Sequence, residues 1–535
     1  MTNRITELYN KELLSGVSPL AEIDLHDERR FPYLATLARR YLTRPIFIGE
    51  SELRRFADDT VRTVDILTSL PDRLFDGDLG RFCDALGISP ERAGIMRRLG
   101  GVRPPRFGRI DAYHDGETFK ILEFNATSET GGLEWVGPAT KAMLDHDALR
   151  SFAEQHGLRH TDAPQMVAEA LRQAGSAVTG GRDPVVAVIE GEGGLARYGE
   201  AWRPLQKLLR GFGLECHLGE ITDLRVRNGR VLFGDTPVDL VYRVFEVDQI
   251  IGHPEGLRLT EQLFTAHEEG RVVIWTPLET EIYRHKGCMT FLSDPRLRAR
   301  LSEDERLLID RVLPWTRSLN GESALRDKDL VEYCVEHRER LILKPNALYS
   351  GQGITPGWEA DEDEWSRALR YVAEIGGVVQ ERVVPRTEPV VDPATGRTEE
   401  WEACWGLYYT PAGGYGGGGC RLQRVGQVDV RALGPGSKTR VAGIFLYPDT
   451  VDHPDTVDHP DTVDHPEAGE SGTGRSGVAV GAAVPGDGSV RDGGGFREND
   501  VIREGGAIRE GGPVREDGAI REGGLAWEGD GARRW

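Results

Sequence analysis

The chain has 535 residues, with 66 Lys+Arg against 87 Asp+Glu and a formal net charge of -21. That length exceeds one ordinary domain, about three being usual for it, and 39% hydrophobic residues suffice for sizeable cores. The acidic balance excludes a protein that coats nucleic acid, which needs a basic footprint, and no run of about 20 apolar residues offers a membrane span.

Met1-Thr2-Asn3-Arg4 opens a polar segment without an apolar h-region, so no secretory signal is expected. Six cysteines (Cys83, Cys216, Cys288, Cys334, Cys404 and Cys420) stand far apart with no C-x-x-C pair. Scattered thiols in a long acidic chain predict a reducing cytoplasm rather than zinc or dithiol chemistry.

Residues 1–100 read as a mainly helical N-terminal region. Leu34, Leu37 and Leu42 recur near the helical period, and Arg and Asp interleave through 53–70 and 84–99 as on solvated helix faces. The second region, 101–182, opens on a hairpin: 107–113 is extended, His114-Asp115-Gly116-Glu117 carries a turn pattern, and 119–125 is extended again. Region 183–280 alternates short strands at 185–189, 214–217, 238–242 and 271–275 with a helix ending near Leu209, which predicts an α/β layer with a partly parallel sheet. Region 281–447 offers helices at 303–312, 327–336 and near 364–374, with strands at 341–344, 377–383 and 401–409. Arg421 and Arg424 there follow a run of glycines, Gly413-Gly414 and Gly416 to Gly419, which suits close approach to phosphate or a flexible loop. From 448 to 535 the chain repeats Asp-Thr-Val-Asp-His-Pro and then Ile-Arg-Glu-Gly-Gly-Ala. So polar a tail buries too little to offset roughly 1–2 kcal/mol per residue of backbone ordering, and disorder is expected. The fold class is mixed α/β.

Asp111, Glu123 and Asn125 carry the oxygen ligands that hard Mg²⁺ prefers. Glu123 and Asn125 are two apart on a strand and share a face. Asp111 joins them if the hairpin is centred on Glu117, which needs a loop with an odd residue count. A two-residue Asp115-Gly116 turn without a bulge pairs Asp111 with Lys120 and sends its carboxylate to the other face. Both registers are open, as is a plain polar hairpin face. Lys344 ends a β run before Pro345 and the Ser350-Gly351-Gln352-Gly353 loop, where glycine lets backbone N–H groups approach an anion. Lys286 sits in Tyr283-Arg284-His285-Lys286-Gly287; taken singly, each lysine reads as a surface lysine. Glu381 ends a strand whose edge offers main chain to a purine and a carboxylate to a ribose, or is a plain strand end. Net charge does not forbid a nucleotide, because the Debye length is about 8 Å at physiological salt; Mg²⁺, Lys286, Lys344, Arg109 and Arg421 decide locally.

Together these residues resemble a known pattern. Arg109-x-Asp111, Glu123-x-Asn125 and Ser128 are similar to the metal and phosphate motif of the glutathionylspermidine synthase-like, circularly permuted ATP-grasp ligases. Pro314-Trp315-Thr316, Lys344-Pro345 and Gln380-Glu381 fit the same family, with the metal hairpin ahead of the lysines. The resemblance implies a permuted ATP-grasp fold over about residues 100–447 and an ATP-dependent carboxylate–amine ligase. Such an enzyme forms an amide or peptide bond through an acyl phosphate, in small-molecule or peptide natural-product biosynthesis, with ATP and Mg²⁺ as cofactors. By the same resemblance Asp111, Glu123 and Asn125 hold Mg²⁺. Arg109 and Ser128 sit by the transferred phosphoryl group and the acyl phosphate, with Arg421 a second phosphate ligand in the catalytic set; Lys286 and Lys344 contact the nucleotide phosphates, and Gly351, Gly353, Gln380, Glu381 and Val383 surround the nucleotide. The segment from Thr127 to Gly132 departs from the glutathione-using members, so neither glutathione nor spermidine is implied. Two other readings stay open: a nucleotide-binding scaffold without catalysis, and a kinase that stops at a phosphorylated small molecule.

Overall fold

The computed structural model describes residues 3–25, 41–42, 44–99, 104–346, 348, 351–427 and 437–449. The chain divides into Met1–Thr456 and Val457–Trp535, and all described residues belong to the first unit. The low-complexity reading of 448–535 therefore lies outside the described residues, apart from Pro448 and Asp449, as does the helical spacing at Leu34 and Leu37.

In chain order the first strands are β1 (Ile46–Gly49), β2 (Gly108–His114), β3 (Phe119–Asn125), β4 (Val186–Glu190) and β5 (Cys216–Glu220). A small meander follows, β6 (Leu224–Arg227), β7 (Arg230–Phe233) and β8 (Thr236–Pro237), then β9 (Leu240–Arg243) and β10 (Val273–Trp275). Next come β11 (Thr316–Leu319), β12 (Leu341–Pro345), β13 (Thr355–Pro356) and β14 (Gly377–Glu381). The last four are β15 (Thr387–Asp392), β16 (Arg397–Tyr409), β17 (Tyr415–Arg424) and β18 (Arg440–Tyr447).

Seven of these form the main sheet, in the order β1-β18-β17-β16-β2-β3 with β15 beside β16. All its pairs are antiparallel except the edge pair β1–β18. Hydrophobic side chains alternate with site residues along β2 and β3. One face, with Ile110, Ala112, Ile121 and Phe124, is buried, and Phe56 of the helix Glu50–Thr68 stacks on Phe119 at 4.3 Å between ring centroids. The opposite face is left for chemistry.

The expected α/β layer is the sheet β10-β9-β4-β5, parallel throughout. Its strands β4, β9 and β10 are mostly apolar runs, as burial on both faces demands, while the edge strand β5 (Cys-His-Leu-Gly-Glu) is only partly buried. The third element is an antiparallel sheet, β11-β14-β12-β13. Its helix Glu362–Ile375 starts at a capping box in which Asp361 and Glu364 satisfy each other's backbone N–H groups. This sheet forms a lid over the main sheet.

The glycine run is not a loop. Gly416 to Gly419 lie inside β17: Gly418 and Gly419 pair with Leu407 and Gly406 of β16, Gly419 pairs with Gly443 of β18, and Gly416-Gly417 fall at a register shift. Asp111, Gly406, Gly419 and Gly443 stand side by side on four neighbouring strands. A Cβ at Gly419 collides with the Trp135 ring, and one at Gly443 with the Thr140 hydroxyl. Glycine is there because the chain above packs directly on the backbone. Among the described residues no helix is long and apolar enough to cross a membrane, and the six cysteines are buried and unbridged.

Candidate active site

The register of the β2–β3 hairpin decides where Asp111 points. The turn is a four-residue loop, 115–118, closed by the Asp115 carboxylate, which accepts from the N–H groups of Glu117 (2.9 Å) and Thr118 (2.8 Å). An even loop alone would pair Asp111 with Leu122 and turn its carboxylate from Glu123. A β-bulge prevents this: Ala112 pairs with Ile121 but Asp111 with Glu123, so Leu122 is passed over. Arg109 then faces Asn125. Arg109, Asp111, Glu123 and Asn125 thus share one face, and Arg421 joins them from β17.

Asp111 is buried in a fork of guanidinium groups. Arg109 Nε donates to its Oδ1 at 2.8 Å and Nη2 to Oδ2 at 3.2 Å, and Arg421 Nη2 donates to Oδ2 at 2.6 Å. Burial alone would raise this carboxyl; Arg109 and Arg421 outweigh it and hold the group well below the usual carboxylate range. Arg109 also donates from Nη1 to Gly131 O at 2.6 Å, and Tyr408 donates to the same carbonyl at 2.9 Å. Gly406 leaves room for this side chain: a Cβ there would stand 3.1 Å from Arg109 Cδ.

Two lysines face this floor. Lys286 Nζ donates to Leu348 O at 3.2 Å and lies 3.7 Å from Glu123 Oε2. Lys344 is buried, with Nζ donating to Gln380 Oε1 at 2.6 Å and to the carbonyl of the bulged Leu122 at 3.3 Å. Burial pushes its pKa down to about 8. Floor, lid and α/β layer enclose one cavity of about 800 Å³, within the range of small-molecule sites.

Residues 110–375 match the family model described as "A circularly permuted ATPgrasp". The chain belongs to the circularly permuted ATP-grasp family. Among solved structures, a glutathione synthetase-like effector from Globodera pallida is similar over 83% of this chain and 99% of its own, at 11% identity and a TM-score of 0.50, a likeness of fold. A putative gamma-glutamylcysteine synthetase from Methylobacillus flagellatus aligns over 72% of this chain and 88% of its own (15% identity, TM-score 0.38). D-alanyl-alanine synthetase A from Vibrio cholerae aligns over 42% and 67% (12% identity, TM-score 0.25). No curated protein matched the sequence.

Most of the residues singled out in the sequence line this one ATP-grasp cavity: Arg109, Asp111, Glu123, Asn125, Lys286, Lys344, Gly351, Gln380, Glu381, Val383 and Arg421. Ser128 does not. Its hydroxyl is buried, donating to Arg243 O at 2.5 Å and accepting from the N–H of Thr276 at 3.0 Å. It pins the loop after β3 to the parallel sheet instead of facing a phosphoryl group. Gly353 also stays off the cavity wall; its φ of +69° and a Cβ position 2.8 Å from Pro345 Cγ explain the glycine by backbone and packing. Glu381 is half-exposed, 3.7 Å from Arg340 Nη2. The N–H groups of Glu381 and Arg382 are taken by Trp315 O and Arg340 O, both at 2.8 Å. Arg424 leaves the site for Glu399 at 2.8 Å.

The sequence reading missed a second charge cluster. Arg243 is fully buried, donating to Glu129 at 2.9 Å and Glu281 at 3.2 Å. Arg284 on the cavity wall donates to the same Glu129 at 3.1 Å and to Glu246 at 3.0 Å. An arginine ending the apolar run of β9 was the available sign, since an arginine is almost never buried without partners.

Among the described residues no group of three or more His, Cys, Asp and Glu side chains is arranged as a metal site. The donors here are two carboxylates and one carboxamide. All are oxygen donors on a shared face, with the Asp111 and Glu123 side chains in hydrogen-bond contact, Asn125 Nδ2 3.5 Å from Glu123 Oε1 and Lys286 Nζ 3.7 Å from its Oε2. By the chemistry of its donors the set fits a hard divalent cation.

Proposed function

We propose that the chain is an ATP-dependent carboxylate–amine ligase that forms an amide or peptide bond through an acyl phosphate. The observation that carries this reading is the meeting of Arg109, Asp111, Glu123, Asn125 and Arg421 on one floor, opposite Lys286 and, in the lid, Lys344. Phosphoryl transfer asks a protein mainly for positioning and for fixed positive charge around the transferred group. Two arginines and two lysines supply that charge. Asp111, Glu123 and Asn125 would hold Mg²⁺, which neutralises phosphate charge when bound.

The cavity continues past the nucleotide side. Ile342, Ile354 and Pro356 give an apolar wall in the lid, while Arg197, Tyr198 and Glu246 line the side toward the α/β layer. A polar, two-signed wall of that kind suits a carboxylate and an amine together. The carboxylate attacks the γ-phosphorus to give acyl phosphate and ADP, and the amine then displaces phosphate. Holding both in one cavity under the lid supplies proximity and limits water's access to the activated acid.

The test is an acid-by-amine matrix scored for ADP and phosphate. Release that needs ATP, a carboxylate and an amine together supports the reading. AMP and pyrophosphate as products, or a stable phosphorylated product without an amine, overturns it.

A further inference from the structure

Gln380 is buried at the cavity wall with both ends of its carboxamide held by lid residues, its Nε2 also facing Met289 Sδ at 3.7 Å. Its Oε1 accepts from Lys344 Nζ at 2.6 Å, and its Nε2 donates to Thr316 Oγ1 at 3.1 Å. The orientation of the amide follows from the next link. The Thr316 hydroxyl donates its one hydrogen to Pro314 O at 3.0 Å, so toward Gln380 it can only accept, which places NH₂ there and the carbonyl on Lys344. The strands put these groups in line: Thr316 and Ile342 flank Gln380 on either side, and Lys344 lies two residues beyond Ile342 on the same face. A lysine ammonium has three donors. Gln380 takes one and Leu122 O a second at 3.3 Å, leaving the third for a ligand.

We propose that Thr316 and Gln380 are positioning residues for Lys344, a donor relay starting at Pro314 O that fixes where the ammonium points, and that Gln380 does not itself bind the nucleotide. The direction of the free N–H is set by the two oxygens that hold the others. This rests on the ATP-dependent reading for its ligand, but the relay itself is a property of the unliganded chain.

The experiment is a double-mutant cycle on the full chain with MgADP as probe, measured by calorimetry. Gln380→Leu weakens MgADP by about tenfold and Thr316→Val by a few-fold, as expected for losing a hydrogen bond to a charged group or its support. Both losses disappear in a Lys344→Met background. Equal losses in both backgrounds, or none in either, overturn the proposal. A second readout needs no nucleotide: acetylation of Lys344 by acetic anhydride, mapped by mass spectrometry, speeds up several-fold in Gln380→Leu while other lysines keep their rates. An unchanged Lys344 rate overturns the relay. A chain that fails to bind MgADP yet shows this acceleration removes the ATP-dependent reading and leaves the relay standing.

Discussion

The floor and the lid of the cavity treat buried charge in opposite ways. On the floor, the Asp111 carboxylate sits in a fork of two arginines, so its charge is balanced before a ligand arrives. In the lid, the Lys344 ammonium is just as buried but rests on two neutral oxygens. Burial depresses its pKa to about 8, with Glu123 opposing and Lys286 assisting. A balanced cluster keeps its geometry without help, whereas a cation lacking a counter-charge in hydrogen-bond contact keeps an appetite for an anion. The floor thus orients and the lid captures.

That contrast breaks most sharply at Asp111. Asp111→Asn leaves two guanidinium groups facing a neutral amide. Turnover falls below detection in a phosphate-release assay, and the unliganded chain loses about 3 kcal/mol by denaturant titration. Lys344→Met has the opposite signature. MgADP affinity drops by about 100-fold, yet the unliganded chain melts at the same temperature or higher, because a costly buried charge has gone.

The same lysine gives the contrast a pH signature. Unfolded, it keeps its proton up to about its ordinary value of 10.5; folded, it releases it above about 8. Between those values the unfolded state binds more protons, so rising pH stabilises the fold through this group, by about 3 kcal/mol over the whole window. The difference in stability between wild type and Lys344→Met, followed from pH 7 to 10.5, should shift by that amount in favour of the wild type. Smaller effects test the rigidity of the floor. Gly419→Ala drives a methyl group into Trp135 and costs about 1–3 kcal/mol in denaturant titration. Arg424→Ala, on the same strand but half-exposed and paired with Glu399, stays within about 0.5 kcal/mol and leaves MgADP affinity unchanged.

How much of this was legible in the sequence differs by element. The hairpin, the parallel layer and the lid strands announce themselves through period and β-branched composition, and β4, β9, β12 and β14 lie close to the expected places. β17 was hidden because glycines erase the alternation by which a half-buried strand is recognised. The neighbours that make two of those glycines necessary, Trp135 over Gly419 and Ala163 over Gly417, are distant in sequence. Asp111 could be placed on either face, since the run Ile121-Leu122-Glu123-Phe124 offers apolar residues to both registers and hides the bulge at Leu122. Ser128 was misjudged for another reason: a hydroxyl in a motif says nothing about whether backbone groups from β9 and β10 already claim it.

Leu122 gives the cavity two different things, a stretch of wall and a main-chain oxygen. Scanning the position with other side chains interrogates only the first, because every amino acid carries the same carbonyl. Excision asks the other question. Ala112 would still meet Ile121 and Asp111 would still meet Glu123 in an unbroken ladder, while the ammonium above would lose an anchor. Here an indel is the more discriminating tool than a substitution, and tolerance of residue replacement is no sign of an idle position.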